Sequence, residues 1–343
     1  MKKANLDWEN IGFSYRETNA RYVSEYKDGK WCEGALIKDS SIVLNESAGV
    51  FQYAQTIFEG LKAFETVNGD IVTFRPDLNA ERFVASAKRL EMAVLPVEQF
   101  LKGIDEVIAA NAAYVPPYGC GASLYIRPFM YGSDPVIGVS PATEYQFRIF
   151  TLPVGPYFRG GITPLSLLVS EFDRAAPRGT GNVKAGLNYA MSMHAIIKAR
   201  EGGFADSMYL DHTRTKVEET SGANFLFVTK DKKIVTPLSN TILPSITRRS
   251  LLHVAKEHLG LEVEEREVYV DELKDFAECG VCGTATVLAP IGRIVNGNQE
   301  ILFPSGMEKM GEITEKMRNT LLDIQHGIIE APKGWIRKIH LEP

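Results

Sequence analysis

The sequence predicts a two-domain α/β protein on three observations. The chain has 343 residues, which is long for one hydrophobic core and sufficient for two domains. Strand-like and helix-like patterns intermingle along the first half, which favours an α+β or α/β arrangement. Glycine, proline and aromatic residues cluster at 155–165 between two apolar strand patterns. We therefore predict a small α+β N-terminal domain at 1–154, a linker at 155–165 and a larger, mixed α/β C-terminal domain at 166–343.

The first half carries four strand-like runs and two helix-like patterns. The runs are GALIKDSSIVL (34–44), DIVTFRP (70–76), SLYIRPFMYG (123–132) and YQFRIFTLPVG (145–155). The helical patterns are LNAERFVASAKRLEM (78–92) and VEQFLKGIDEVIAANAAY (97–114). Such mixing of both element types predicts helices packed on a sheet.

The second half reads as strands at LSLLVSEF (165–172), SMYLD (207–211), NFLFVT (224–229) and KIVTP (233–237). One helix is predicted over 188–200, ended by Gly202 and Gly203. Leu251, Ala255 and Leu259 predict another helix, ended by Gly260. The residues 245–247 at its start would present backbone amides to an anion, although Thr247 as an ordinary capping residue is an alternative.

Composition and charge narrow the functional classes. Apolar residues make up 45% and charged residues 24%, close to the average of a folded domain. A net charge of −5 and a pI near 5.8 argue against nucleic acid or an anionic membrane as the general partner. The first residues, MKKANLDWENIGF, lack the apolar run of a signal peptide, so a cytoplasmic enzyme or binding protein is expected.

The cysteines leave two interpretations open. The pair Cys279 and Cys282 has CxxC spacing, whereas Cys32 and Cys120 stand alone. Zinc would need two further ligands, and the six histidines offer no HxxxH pair, so no metal site is expected. A reactive dithiol, or two small residues packed on a turn, remains.

The stretch RGTGNVKAGLNY (178–189) resembles a phosphate loop only superficially. Lys184 precedes alanine where a Walker loop requires serine or threonine, and it takes the place of the sixth-position glycine of a dinucleotide loop. What remains is a lysine among small residues just before a helix. Such an amine becomes a nucleophile when partly desolvated, although a solvated surface lysine is the alternative.

Pyridoxal phosphate would explain three features of the second half together. They are Lys184, the helix start near Thr247, and the acidic run VEETSGANFLFV (217–228). The coenzyme requires an amine, an anion site and a carboxylate for its ring nitrogen. Pyridoxal phosphate is therefore one cofactor that would account for these residues.

Eight motifs follow one another along nearly the whole chain. They are FEGLKAF (58–64), RPDLNAERF (75–83), LYIRP (124–128), LPVGPYF (152–158), GNVKAGLNY (181–189), EETSGAN (218–224), ILPSITR (242–248) and GTAT (283–286). In this order they resemble the branched-chain amino acid aminotransferases, members of the fold-type IV pyridoxal-phosphate enzymes. The resemblance implies that fold, with the C-terminal domain binding the coenzyme.

The resemblance also implies roles toward the coenzyme. Lys184 would bind it covalently and move the substrate's Cα proton, Tyr189 would hydrogen-bond its phenolic oxygen, and Glu219 would pair with its pyridine nitrogen. The phosphate would be held by Arg82, Thr284 and the amides of Ile246 and Thr247. Arg174 matches a family arginine behind the site, with a surface ion pair as the alternative.

Substrate roles follow from the same resemblance. An apolar pocket would be lined by Phe13, Tyr53, Phe58 and Tyr157. The α-carboxylate would be received by the Tyr125 hydroxyl and the amides of Thr284 and Ala285, and Arg127 would accommodate the second carboxylate of glutamate. Ile137 and Val139 match a loop that reaches in from a partner subunit, which implies a homodimer.

The chain departs from its mammalian relatives at two places. It has Thr286 and Ala289 where they carry a redox thiol pair, so that switch is not expected here. Gly222 replaces a threonine that contacts the coenzyme, so that contact is lost or is supplied by Ser221 or water.

The expected activity is transfer of the amino group of L-leucine, L-isoleucine or L-valine to 2-oxoglutarate. A D-amino acid aminotransferase or an aminodeoxychorismate lyase of the same fold is the nearest alternative. A non-catalytic metabolite- or nucleotide-binding protein, and a redox-regulated protein centred on Cys279 and Cys282, are alternatives of other classes.

Overall fold

The computed structural model describes residues 2–156 and 161–341, which form two compact units. The first comprises Met1–Pro156, Val183–Gly186 and Ile324–Pro343, and the second Tyr157–Asn182 and Leu187–Asp323. The segments Val183–Gly186 and Ile324–Pro343 therefore group with the first unit, although the sequence placed them in the C-terminal domain. Backbone pairing explains both: Ala185 bridges Ile57, and Ile336 pairs with Phe74.

The first unit contains eight strands that precede position 155 and a ninth from the C-terminal segment. Their bounds are β1 Arg21–Lys27, β2 Lys30–Trp31, β3 Ala35–Ile37, β4 Thr56–Phe58, β5 Leu61–Glu65, β6 Ile71–Phe74, β7 Ser123–Gly132, β8 Tyr145–Val154 and β18 Ile336–Lys338. All their pairings are antiparallel, in the order β18-β6-β5-β7-β8-β1-β2, with β3 on β1 and β4 on β7.

Two long helices cover this sheet: α2 Pro76–Arg89 and α3 Val97–Ala110, after a short α1 at Gly49–Tyr53. Proline at the first position of α2 supplies a helical φ where no amide partner is needed. In α3, Phe100, Ile104 and Ile108 recur every four residues and are buried, as an amphipathic helix requires. Phe83 of α2 and Phe100 meet Phe147 of the sheet at ring-centroid distances of 5.4 and 5.8 Å.

The second unit contains a further set of strands and helices. Its strands are β9 Leu165–Val169, β10 Asp206–Leu210, β11 Val217–Thr220, β12 Asn224–Thr229, β13 Ile234–Pro237, β14 Val263–Arg266, β15 Phe276–Gly283, β16 Val287–Asn296 and β17 Gln299–Leu302. Its helices are α4 Gly186–Glu201, α5 Ile246–His253 and α6 Glu312–Gln325, with a π-helical continuation of α5 at Val254–His258 and a 3₁₀ helix at Val270–Asp275.

The second sheet mixes parallel and antiparallel pairs and closes on itself. Its order is β11-β10-β9-β16-β15-β12-β13-β14, and β11 also pairs with β12. The closing pair is Glu219 opposite Asn224. Phe227 fills the core inside, stacked on Phe225 and Phe276 at 5.6 and 4.7 Å.

Several sequence predictions are confirmed with small shifts. The predicted helix over 188–200 is α4, and the strands at 123–132 and 224–229 have the predicted bounds. The strand predicted over 34–44 is wrong beyond Ile37, because Asp39 turns the chain by accepting the Ser41 amide at 2.9 Å. Among the described residues, no helix has the length and apolar composition needed to span a bilayer.

Glu278 of β15 holds the start of α6. Its buried carboxylate accepts the amides of Ile313 and Thr314 at 3.0 and 2.8 Å and the Thr314 hydroxyl at 2.9 Å. A negative charge at a helix N-terminus satisfies amides that have no intrahelical partner.

We expect Glu278→Ala to lower the free energy of unfolding by about 2–4 kcal/mol, because the buried amides of Ile313 and Thr314 and the Thr314 hydroxyl would lose their acceptor. Urea unfolding followed by circular dichroism measures this. Glu300→Ala is the control, since Glu300 is half exposed in its pair with Arg293 and should cost below about 1 kcal/mol. Equal losses in the two variants would contradict a special role for Glu278.

Candidate active site

Strand β4 fixes the backbone around Lys184 in the first unit. The Phe58 amide donates to the Lys184 carbonyl at 3.1 Å, and Ala185 forms an antiparallel bridge with Ile57. The Lys184 amide donates to the Ser86 hydroxyl of α2 at 3.2 Å. The lysine is therefore anchored through its main chain on both sides and is not a loosely solvated surface residue.

The Lys184 amine and the Arg127 guanidinium share the Phe58 ring. Lys184 Nζ lies 4.9 Å and Arg127 Cζ 4.8 Å from its centroid, within cation–π range. Arg127 Nη2 also donates to the Tyr125 hydroxyl at 2.9 Å. Four residues that the sequence assigned to one site thus lie together: Phe58, Tyr125, Arg127 and Lys184.

Glycine at position 60 permits this arrangement. A Cβ there would lie 2.2 Å from the Tyr125 hydroxyl, so any side chain would displace Tyr125 from Arg127. Arg127 Nε is buried and has no hydrogen-bond partner among the described residues. A half-buried arginine with a buried, unmet donor is suited to an anionic ligand.

Arg82, predicted to hold a phosphate, makes a two-point ion pair with Glu59. Its Nε and Nη2 donate to the two Glu59 carboxylate oxygens at 2.8 and 2.7 Å. The two side chains are 9% and 0% exposed. Sequence reasoning missed Glu59, although a glutamate inside the apolar motif FEGLKAF was a signal that a buried cation lay nearby.

The remaining predicted residues of the first unit are more exposed. The Tyr53 hydroxyl donates to the Ile137 carbonyl, and the side chains of Ile137 and Val139 are 80% and 90% exposed. Phe13 is 51% exposed. Tyr157 lies outside the described residues.

The second unit holds Glu219 in a buried network. Its Oε1 accepts from Arg174 Nη2 at 2.7 Å and from the Leu243 amide at 2.8 Å, and its Oε2 accepts from Asn224 Nδ2 at 2.9 Å. Three donors, one of them cationic, stabilise the ionised carboxylate. Arg174 is 4% exposed, so the alternative of a surface ion pair is wrong.

Arg174 is itself fixed by the loop that precedes Lys184. It donates to the carbonyls of Gly181 and Thr241 at 2.5 and 2.7 Å. The adjoining carboxyl, Glu218, is buried on the other side of β11, and burial raises its pKa. The paired glutamates of the motif EETSGAN therefore differ: Glu219 forms the ion pair with Arg174, whereas Glu218 accepts from the Thr241 hydroxyl.

The loop after β11 brings Ser221 next to Asp206, a half-buried acid. Its hydroxyl donates to Asp206 at 2.6 Å, and burial raises the pKa of Asp206 against the hydrogen bonds that lower it. A Cβ on Gly222 would meet nothing within 4 Å, so the space that a threonine would use is open.

Thr284 and Ala285 lie in the turn between β15 and β16, and both are half-buried. The next residue, Thr286, has a buried hydroxyl without a partner among the described residues. The sequence assigned this hydroxyl no role toward a ligand.

Helix α5 begins as predicted, but Ser245 and not Thr247 caps it. The Ser245 hydroxyl accepts the Arg248 amide at 3.1 Å, and Ile246 and Thr247 occupy the first turn. First-turn amides have no intrahelical carbonyl to bind. Tyr189 lies in the first turn of α4, half-buried.

Each unit by itself carries groups that suit a part of pyridoxal phosphate. The first unit offers the anchored Lys184 amine and Arg82, which Glu59 holds through Nε and Nη2. The second offers a buried carboxylate, a helix start and the unmatched Thr286 hydroxyl. Such groups match an aldehyde, a phosphate and a protonated ring nitrogen.

The CxxC pair lies on strand β15, so the interpretation of two small residues packed on a turn is wrong. Cys279 and Cys282 are 1% and 0% exposed. Residues three apart on a strand point to opposite faces, with Cα atoms about 10 Å apart. A disulfide requires less than about 7 Å, so these thiols do not pair. No group of three or more metal-binding side chains occurs in the part of the chain that the structure describes.

The chain belongs to the class IV amino-transferase family, whose model matches residues 56–294. Two similar curated relatives are branched-chain-amino-acid aminotransferases. That of Haemophilus influenzae is 48% identical over 98% of this chain and 99% of its own length, and that of Helicobacter pylori is 48% identical over 98% of each.

Solved structures of the same class share the fold. The Escherichia coli branched-chain amino acid aminotransferase superposes with a TM-score of 0.80 at 23% identity, over 94% of this chain and all of that one. The enzyme from Thermobaculum terrenum in its pyridoxal phosphate form gives 0.77 at 24% identity, over 95% of this chain and all of that one. The predicted fold class is confirmed.

Thiol labelling of the native protein should modify Cys32 first. Burial tends to raise its pKa, but hydrogen bonds from the Glu25 amide and Ser24 lower it overall, and the residue is exposed. Burial raises the pKa of Cys282 to about 12 and that of Cys279 well above its usual range. We expect Cys32→Ser to remove the fast phase, with Cys279 and Cys282 reacting only after denaturation. Rapid labelling of Cys279 or Cys282 in the native protein would contradict their burial.

Proposed function

We propose that this protein transfers the amino group of branched-chain L-amino acids to 2-oxoglutarate with pyridoxal phosphate as coenzyme. The observation that carries the proposal is the anchored Lys184, whose amine shares the Phe58 ring with Arg127. Full-length similarity to curated branched-chain aminotransferases supports the substrate class. A reactive amine next to an anion-binding group is what an amino or oxo acid requires.

Residues of the first unit act on the reacting carbon and the phosphate. Lys184 holds the coenzyme and carries the proton to and from the substrate Cα, a general acid–base role for an amine. Arg82 binds the phosphate. Phe58 keeps the amine beside an apolar wall, and its ring suits an aliphatic substrate side chain.

Residues of the second unit control the coenzyme ring. When bound, pyridoxal phosphate withdraws electrons from the substrate Cα through its protonated ring. Glu219 keeps the ring nitrogen protonated, and Arg174 and Asn224 keep Glu219 ionised. Tyr189 bonds the phenolic oxygen, while Thr284 and the amides of Ile246 and Thr247 hold the phosphate.

Substrate carboxylates bind at two further places. The Tyr125 hydroxyl and the amides of Thr284 and Ala285 receive the α-carboxylate. Arg127 receives the second carboxylate of glutamate, and its unmatched buried Nε supports this role. Phe13, Tyr53 and Tyr157 complete the apolar lining.

A homodimer is part of the proposal. The nearly complete exposure of Ile137 and Val139 supports contact with a partner subunit, because apolar side chains gain free energy on burial. Location in the cytoplasm stays a prediction, as does a contact between Ser221 and the coenzyme.

The first test is the absorption spectrum of the holoenzyme with L-leucine and with D-alanine. We expect L-leucine alone to bleach the yellow coenzyme, and 2-oxoglutarate to restore it. Lys184→Ala should lower kcat roughly 1,000-fold or more, because it removes both the amine and the base. Lys198→Ala is the control, since Lys198 is exposed and paired with Glu171. Bleaching by D-alanine would assign the protein to the D-amino acid enzymes.

Arg127→Gln should separate the two substrates. We expect KM for 2-oxoglutarate to rise about 10-fold or more, because a charge-assisted bond is lost, while KM for L-leucine changes less than about twofold. Steady-state kinetics with both substrates measure this. Arg89→Gln, an exposed arginine of the same unit, is the control. An equal rise for both substrates would remove Arg127 from the second-carboxylate role.

A further inference from the structure

Glu59 is fully buried and carries no role in the function proposed above. Its exposure is 0%, and its carboxylate faces Arg82 of α2 with two hydrogen bonds, from Nε and Nη2. Asn79, one helical turn before Arg82, donates to the same carboxylate at 2.7 Å. The Glu59 backbone is also fixed, since its amide donates to the Pro128 carbonyl at 2.7 Å.

Two-point pairing of this kind sets the plane of a guanidinium. A carboxylate that engages Nε and Nη2 fixes rotation about the last side-chain bonds and directs the Nη1 edge away from itself. Holding a flexible arginine in one orientation before a ligand arrives reduces the entropy lost on binding.

We propose that Glu59 is a positioning residue, which orients Arg82 for the phosphate of the coenzyme. The inference rests on the proposed function, because it takes Arg82 as a phosphate ligand. Glu59 itself touches no reacting atom: it acts through Arg82, and Asn79 supports it.

Glu59 has a second electrostatic effect of opposite sign. A carboxylate that lies behind a phosphate-binding arginine also repels the phosphate dianion, because like charges raise each other's energy in a protein site. Removing the charge would therefore strengthen phosphate binding if repulsion dominated. A test must keep the charge and change only the geometry, and Glu59→Asp does so because its carboxylate is one methylene shorter.

The experiment measures dissociation constants of apoenzyme for pyridoxal phosphate and for pyridoxal, which lacks the phosphate. We expect Glu59→Asp to raise the constant for pyridoxal phosphate about 10-fold and to leave that for pyridoxal within about twofold. Asn79→Ser keeps the ion pair and removes one supporting bond. It should raise the dissociation constant for pyridoxal phosphate about twofold to threefold and leave that for pyridoxal unchanged. Melting of each apoprotein shows that it is folded.

Two results would overturn the proposal. Equal weakening of both ligands would mean that Glu59 only supports the fold. Unchanged binding in Glu59→Asp, with tighter pyridoxal phosphate binding in Glu59→Gln, would mean that it acts only as an opposing charge.

Arg82→Lys tests the underlying assignment separately. If it leaves the ratio of the two constants as in the wild type, Arg82 is not the phosphate ligand and that part of the proposed function fails. If it raises the ratio, the double variant Glu59→Asp/Arg82→Lys should match Arg82→Lys alone, because Glu59 then has no guanidinium to orient. Additive losses in the double variant would contradict action through Arg82.

Discussion

The ion pair between Arg174 and Glu219 organises the second unit. It lies where β11 meets β12 and the sheet closes, with Asn224 opposite Glu219 in the register and also bonded to its side chain. A buried carboxylate is tolerated only with such partners, because desolvation of an unpaired charge costs several kcal/mol. The same pair joins two loops: Arg174 donates to the carbonyls of Gly181 and Thr241, and Glu219 accepts the Leu243 amide from the loop that also contains Thr241. One ion pair thus sets the positions of two loops.

In the first unit, the short segment 57–60 positions a buried ion pair and the lysine segment. Residues 57–60 bond to the lysine segment on one side and to β7 on the other, and each side chain has a separate task. Phe58 faces two cations, Glu59 holds Arg82, and Gly60 makes room for the Tyr125 hydroxyl. The three consecutive residues of the motif FEG therefore each have a different partner in the site.

The sequence predicted several strands and helices, because periodicity is a local property, and its ordered motifs supplied the residue roles that remain part of the proposed function. It could not predict which side chains pair across distant segments. Glu59 with Arg82 and Arg174 with Glu219 are joined only by the fold, so Glu59 was missed and Arg174 was left undecided. The prediction for Cys279 and Cys282 was wrong for a related reason. CxxC spacing brings two thiols close together on a turn, whereas on an extended strand it places them on opposite faces.

The pairing of β18 with β6 has a consequence for synthesis of the chain. The ribosome releases residues 1–156 first, yet the sheet that they build acquires its edge strand only from Ile336–Lys338 and its lysine segment only from Val183–Gly186. Contacts this distant in sequence form late, because a long loop must close before they are gained. The nascent first half therefore waits with an unpaired strand edge, the kind of surface that chaperones protect.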